Sequence, residues 1–232
     1  MSDFFRFPHT SHIAWLAKGA PRDDKVLSPA EAQALLSAPV LVEEKLDGAN
    51  LGFSLDAHDC VQAQNRGQFL QAPYAGQFAR LPDWLAQAGD RVELALLGMA
   101  DAPVILFGEW CAARHSLDYN KLPDWFVLFD VYDKTQARFW SAKRRNALAE
   151  TYGFATVPSL YQGLATLDQL KTMLKETPSR YRSGCLEGVV IRHDSNDWSE
   201  ARAKLVRPDF TQAIEEHWSR RRVEWNRLAV PS

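Results

Sequence analysis

The chain has 232 residues, 46% of them hydrophobic, and its 27 lysines and arginines face 29 aspartates and glutamates for a formal net charge of −2. That length buries a full core, and the near-neutral balance excludes a generally basic nucleic-acid coat while leaving room for a local basic cleft. No run approaches the ~18 apolar residues of a membrane span, so no membrane partner is expected. Along the chain, Ser28 and Glu31 stand at capping-box spacing, Pro29 takes a favourable first position, and Ala32, Leu35 and Leu36 continue a helix that ends before Pro39. The helix delivers the chain into a strand over 40–45. Further strand-like runs fall at 51–55, 61–65, 103–109, 126–131, 187–192 and 202–206. Ser141 opens a second helix that stops at Gly153, and Thr166 with Gln169 repeats the capping box before Leu167, Leu170, Met173 and Leu174 at helical spacing. Strands in near-hairpin order with few helices between them predict an α+β fold of mainly antiparallel sheets flanked by helices.

No repeat, low-complexity tract or long linker divides the sequence, and a single domain over residues 1–232 is the simplest expectation. Cys60, Cys111 and Cys185 are widely spaced and form no C-x-x-C pair, so they read as free thiols in a reducing compartment. The opening MSDFFRFPHT has no positive stretch followed by an apolar core, which makes a cytoplasmic location the default. The six histidines show no paired metal-ligand spacing, and no P-loop motif occurs.

The stretch EEKLDGANLGFSL, residues 43–55, places Lys45 at the end of an apolar strand and follows it with Asp47, Gly48 and Asn50. An ordinary lysine is protonated at neutral pH, and to act as a nucleophile its pKa must fall to roughly 7 to 8, a change of about 4 kcal/mol. Burial beside other cations would supply that. Arg202 and Lys204, two apart on a predicted strand and so on one face, are the cations at hand. Two cations aimed at one spot call for an anion, and phosphate is the natural one. The expectation is an uncharged amine in a dry, cationic crevice, against the plainer reading of a strand-end lysine paired with Glu43 or Glu44. Asp47 works the other way, since a carboxylate beside an ammonium raises the lysine pKa.

KLDGAN (45–50) resembles the first motif, K-x-D-G, of the covalent nucleotidyltransferases, the superfamily of ATP-dependent ligases and capping enzymes. Five further blocks resemble its later motifs in order: QNRG (64–67), LFGEW (106–110), FVLFDVYD (126–133), LEGVVIR (186–192) and RAKLVRP (202–208). Asparagine five residues after the lysine is similar to RNA ligases of the second bacteriophage type, where DNA ligases and capping enzymes usually carry arginine. The resemblance implies an adenylyltransferase domain that uses ATP and Mg2+ or Mn2+ and acts on RNA with 3′-hydroxyl and 5′-phosphate ends. Lys45 would attack the α-phosphorus of ATP and hold AMP as a phosphoramidate, the AMP would pass to an RNA 5′-phosphate, and a 3′-hydroxyl would displace it. Arg202 and Lys204 would contact the α-phosphate, Glu109 the ribose and Phe129 the adenine; Glu44, Arg66 and Glu187 join the nucleotide-binding set. Glu187 would help hold the metal, and Asn50 with Arg66 would position the RNA ends.

The pattern departs from the family in two places. Arg202 stands where a lysine is usual, so a planar fork replaces a point charge. Only 28 residues follow Lys204, which leaves no room for an appended oligonucleotide-binding fold and suggests a separate end-healing or RNA-binding protein as a partner. Competing readings are a compact ATP-dependent DNA ligase and a non-catalytic nucleotide- or RNA-binding module. His115, between two motif blocks, is a candidate substrate contact. Trp218, Arg220, Arg221, Arg222 and Trp225 form a basic, aromatic tail that is either an RNA contact or a solvated helix end.

Overall fold

A computed structural model describes residues 4–19, 21, 25–99, 101–213 and 223–230. In chain order the elements are α1 (Pro29–Leu36), β1 (Val40–Lys45), β2 (Ala49–Leu55), β3 (Val61–Gln64), α2 (Leu81–Leu97), β4 (Val104–Trp110), β5 (Phe126–Asp133), β6 (Arg138–Phe139), α3 (Ala142–Tyr152), β7 (Ala155–Thr156), β8 (Ser159–Gly163), α4 (Leu167–Glu176), β9 (Gly188–Asp194), β10 (Ser199–Val206) and α5 (Pro208–Ala213). The strands form two sheets. One has the order β10-β9-β1-β8, and the other runs β3-β2-β4-β5-β6 with β7 added beside β5. Every pairing is antiparallel except β5 with β7, which gives the α+β class expected from the hairpin-like strand order.

Local chemistry sets the helix boundaries. Ser28 and Glu31 close both bonds of a capping box at the start of α1, with Pro29 as first residue. Thr166 and Gln169 do the same for α4. Ser141 caps α3, and Gly153 ends it at φ 73°, in the left-handed region that glycine enters without a Cβ clash. α2 has Pro82 in its first turn and Gly98 at its end but no side-chain N-cap, since Arg80 precedes it without a side-chain bond. It forms because Leu81, Trp84, Ala88, Val92 and Ala95 fall on one helical face and bury against Phe53, Leu106 and Phe126 of the second sheet. The first sheet packs Val42, Ile191, Ala203 and Leu205 against Leu35 of α1 and Leu170 and Leu174 of α4. Each side chain so buried contributes about 1.5–3 kcal/mol of transfer free energy, less for alanine.

The segment before α1 is also structured. Residues 11–13 lie along β10, with Ser11 O accepting the Lys204 N–H at 2.9 Å and Lys204 O accepting the Ile13 N–H at 2.8 Å. Further back, Phe5 stacks on Tyr132 at 3.7 Å between ring centres, and Phe7 packs edge-on against Phe107 and Phe129. Phe5 O accepts from the Gln64 side chain and Phe7 O from Arg66 Nε. The amino-terminal segment therefore ties both sheets together beside the space between them.

Candidate active site

β1 ends at Lys45 in the first sheet, and after three intervening residues the chain enters β2 of the second. The lysine thus stands where the backbone crosses between sheets. This crossing is held on several sides. Asp47 Oδ2 accepts the N–H groups of Ser116 and Leu117 at 2.8 and 2.7 Å, the Tyr119 hydroxyl accepts the Asp47 N–H at 2.9 Å, and Glu109 Oε1 accepts the Gly48 N–H at 2.9 Å. Gly48 is required by close approach: a Cβ there would sit 2.6 Å from the Trp110 carbonyl oxygen and 3.0 Å from Glu109 Cγ. Because the obstruction is backbone, Gly48→Ala is expected to lower stability by about 1–3 kcal/mol, read as a shifted denaturant midpoint. An unchanged midpoint would mean the crossing yields more easily than this packing implies.

A cleft of about 910 Å³ opens between the sheets. Lys45, Asn50, Arg66, Glu109, Phe129, Arg202, Lys204 and Glu44 all line it, so blocks spread over 160 residues of sequence meet at one space. The Lys45 side chain keeps 28% of its surface exposed, which places it on the cleft wall and not in open solvent. Glu187 is buried and off the wall, and its Oε1 accepts from Lys45 Nζ at 2.6 Å. The register explains the pairing, since Lys45 lies opposite Gly188 on the neighbouring strand. Likewise Asn50 lies opposite Glu109 across β2 and β4. Asn50 Oδ1 and Glu187 Oε2 are both buried without a hydrogen-bond partner among the described residues.

The electrostatics correct the expected cationic crevice. Burial works against the Lys45 ammonium, but the carboxylates of Glu187, Glu109 and Asp47 outweigh it and hold the lysine pKa above its ordinary value. Burial raises the carboxylates in turn, Glu187 to about 8 and Glu109 to about 7, with Lys45 opposing and Asp47 adding repulsion in both cases. Three carboxylates thus surround one amine, and the amine keeps its proton. The anion facing Arg202 is also not left to a ligand. Asp130 pairs with Arg202, whose guanidinium lies over the rings of Phe139 and Phe7 at 4.1 and 4.7 Å. Arg202 and Lys204 do share the cleft face, as their spacing predicts, but Arg202 enters already neutralised.

Asp130 belongs to a buried network beneath the cleft. Arg192 pairs with it at 2.5 Å and with Asp194 at 3.3 Å, while Arg145 pairs with Glu43 at 2.5 Å. Arg145 and Arg192 both donate to the Phe129 carbonyl, so the network fixes the strand that carries the Phe129 ring. The Glu44 carboxylate is engaged elsewhere, by the Ser179 hydroxyl at 2.5 Å and the Arg180 N–H at 2.9 Å. His115 also lines the cleft. Its Nε2 lies 2.9 Å from Gln77 Oε1, and burial lowers its pKa, so it is neutral at pH 7.

Two contributions were not read from the sequence. Phe7, Pro8, His9 and Thr10 form part of the cleft wall; the aromatic run FFRF was the available signal. The other is the carboxy-terminal segment at 224–229, which pairs with residues 112–122, the stretch whose N–H groups hold Asp47. Asn226 anchors it: Oδ1 accepts the Tyr119 N–H at 2.9 Å, and Nδ2 donates to the carbonyls of Cys111 and Ala113 at 2.8 and 3.3 Å. Asn226→Ala leaves three buried backbone groups without partners and is expected to cost about 3 kcal/mol or more in urea unfolding. A loss below 1 kcal/mol would show that the segment is not a brace. Of the tail residues, Trp218, Arg220, Arg221 and Arg222 lie outside the described residues; the Trp225 ring faces the Arg80 guanidinium at 4.3 Å.

No helix among the described residues is long and apolar enough to cross a membrane, and no group of three histidine, cysteine or acidic side chains among them forms a metal cage. Solved structures share the fold. A Naegleria gruberi RNA ligase with PPi superposes with a TM-score of 0.61 at 18% identity, covering 93% of this chain and 65% of that one. Variants of that ligase with ATP and Mn give 0.58 at 18% identity over 79% and 53%, and 0.61 at 17% over 81% and 55%. The chain thus spans about half to two thirds of the length of these solved relatives. No curated protein matches it. The RNA ligase family model matches residues 38–206, the span from the start of β1 to the end of β10 that carries Lys45, Glu109, Phe129, Glu187 and Lys204, and the chain belongs to the RNA ligase family.

Proposed function

We propose that this chain is an ATP-dependent RNA ligase that works through a lysyl-AMP intermediate on Lys45, adenylates RNA 5′-phosphates and seals them to 3′-hydroxyls. The observation that carries this reading is the convergence of Lys45, Glu109, Phe129 and Lys204 on one cleft of about 910 Å³, within the range of small-molecule sites. Phe129 offers a flat apolar face for adenine, Glu109 a carboxylate for the ribose hydroxyls, and Lys204 with Arg66 positive charge for phosphate. In the first step the Lys45 nitrogen bonds to the α-phosphorus, the bond to pyrophosphate breaks with its electron pair leaving on pyrophosphate, and the ammonium proton passes to Glu187 Oε1 at 2.6 Å. Burial makes the Glu187 carboxylate more basic than an ordinary one, which suits it to take that proton. Asn50, with its unpartnered Oδ1, and Arg66 position the RNA ends.

The residues present fit a divalent cation. Glu187 Oε2 is a buried, unpartnered, hard oxygen donor, and Mg2+ or Mn2+ binds through one or two carboxylates completed by substrate phosphates and water. Such an ion would offset the charge of the carboxylates around Lys45 and of a triphosphate entering the cleft. The neighbouring ligase structures with ATP and Mn are in keeping with this. The test is to incubate the protein with α-labelled ATP and a divalent metal. Acid-labile label should appear on the protein with release of pyrophosphate and map to Lys45. ATP binding without pyrophosphate release would instead make this a binding module. Nicked RNA should then be sealed in preference to nicked DNA; the reverse preference would make it a DNA ligase.

A further inference from the structure

We infer that the surface formed by residues 114–122, 180–182 and 224–228 is the face on which the RNA strand lies as its end enters the cleft. This rests on the RNA ligase reading above and assigns that reading a binding surface. Backbone hydrogen bonds knit the three segments into one patch. Arg114 N–H donates to Glu224 O at 2.8 Å, the N–H groups of Asn120 and Lys121 to Tyr181 O at 3.1 and 3.2 Å, and Leu122 N–H to Arg227 O at 3.1 Å. The patch concentrates positive charge that the chain as a whole lacks. Its cations are Arg114, Lys121, Arg180, Arg182 and Arg227, and its carboxylates only Asp118 and Glu224, on a chain whose net charge is −2. Arg182 pairs with Asp118 at 3.0 Å and Arg114 with Glu224 at 2.7 Å. Lys121, Arg180 and Arg227 add three further exposed cations.

Position argues for RNA over an acidic protein. The patch is continuous with the cleft, because His115, inside its first segment, lines the cleft wall, and Ser116 and Leu117 hold Asp47 beside Lys45. Cations spread over three loops suit a phosphate backbone, where each neutralised phosphate releases a counterion and steepens the salt dependence of binding.

The experiment compares the full chain with the triple variant Lys121→Ala, Arg180→Ala, Arg227→Ala, none of which lines the cleft. Binding of a fluorescent nicked RNA duplex with a 5′-phosphate is followed by anisotropy across a salt series, and label transfer from ATP is measured in parallel. The expected result is a salt slope smaller by about two to three and affinity lower by on the order of 10- to 100-fold, with label transfer unchanged. Unchanged RNA binding and slope would overturn the inference and leave the face to a protein partner. Equal loss of both signals would overturn it as well, since the three side chains would then support the fold. If the unaltered chain takes no label but shows the face-dependent slope, the ligase chemistry falls and the RNA face stands.

Discussion

Lys45→Arg should remove label transfer from ATP by on the order of 10⁴-fold or more while leaving the protein folded. Arginine keeps a cation beside Glu187 but cannot surrender its proton, so the substitution separates charge pairing from nucleophilicity. Lys45→Ala should lose activity equally. Its fold is a weaker control, because it leaves Glu187 buried next to Glu109 and Asp47 with no cation between them. The pH profile carries the finer test. Carboxylates around Lys45 hold its pKa above the ordinary value, so the rate should climb with pH across and beyond the neutral range. In Glu187→Gln the main charge favouring the ammonium is gone, the Lys45 pKa falls, and the acid limb should move to lower pH even where the maximal rate drops. Label persisting on the arginine variant would remove Lys45 from the mechanism. An acid limb that moved upward in Glu187→Gln would mean the carboxylate does not govern the amine.

Why would the proposed nucleophile be held as an ammonium among acids? Stability gives a partial answer. A lysine held neutral in an empty cleft would surrender solvation with no partner, whereas the Glu187 contact satisfies it. The cation resting there is ready for exchange, since incoming phosphates and a divalent ion alter the local charge balance more than any side chain can. On the proposed ligase reading, substrate and not the protein alone sets the amine's reactivity.

Much of this arrangement was legible because the informative signals are local. Capping boxes at Ser28 and Thr166, the Gly153 terminus and strand alternation are decided within a few residues, and they appear where their chemistry places them. The residues that motif order singles out line one cleft, apart from Glu187 behind its wall. What escaped was pairing across the fold. That Arg202 meets Asp130, or that three carboxylates gather at Lys45, depends on which strands become neighbours. Strand twist and register are properties of the assembled sheets. The same holds for Phe7 and Asn226, which matter because distant segments dock, at positions where no periodicity announces them. α2 was a different miss: its apolar positions repeat at helical spacing and Pro82 and Gly98 mark its ends, but no side-chain N-cap precedes it.

Arg145→Met should cost about 3–5 kcal/mol of stability, although Arg145 does not line the cleft. Its side chain is 1% exposed and that of Glu43 3%, and the guanidinium meets both carboxylate oxygens, at 2.5 and 3.3 Å, while donating to the Phe129 carbonyl at 2.7 Å. Removing the arginine leaves a buried carboxylate without its main partner. In the double variant Glu43→Leu, Arg145→Met, the stranded charge is gone as well, so a good part of the loss should return. A double-mutant cycle by urea unfolding should then give a coupling of about 1–3 kcal/mol. Strictly additive losses would show that the two side chains do not act as a pair. Activity supplies a second readout, because Arg145 holds the strand under the Phe129 ring; the KM for ATP should rise more than kcat falls. The network also sets an acid limit. Burial opposes the Asp130 charge, but Arg192 and Arg202 outweigh it and hold the carboxyl below the ordinary range. A depressed folded pKa gives stability that is present above the unfolded value of about 3.9 and is lost as pH falls through the folded one. Asp130→Asn should therefore flatten the acid limb of the stability curve below about pH 4 and lower the plateau above it. The two sheets would then be joined at the cleft floor by weaker, uncharged hydrogen bonds.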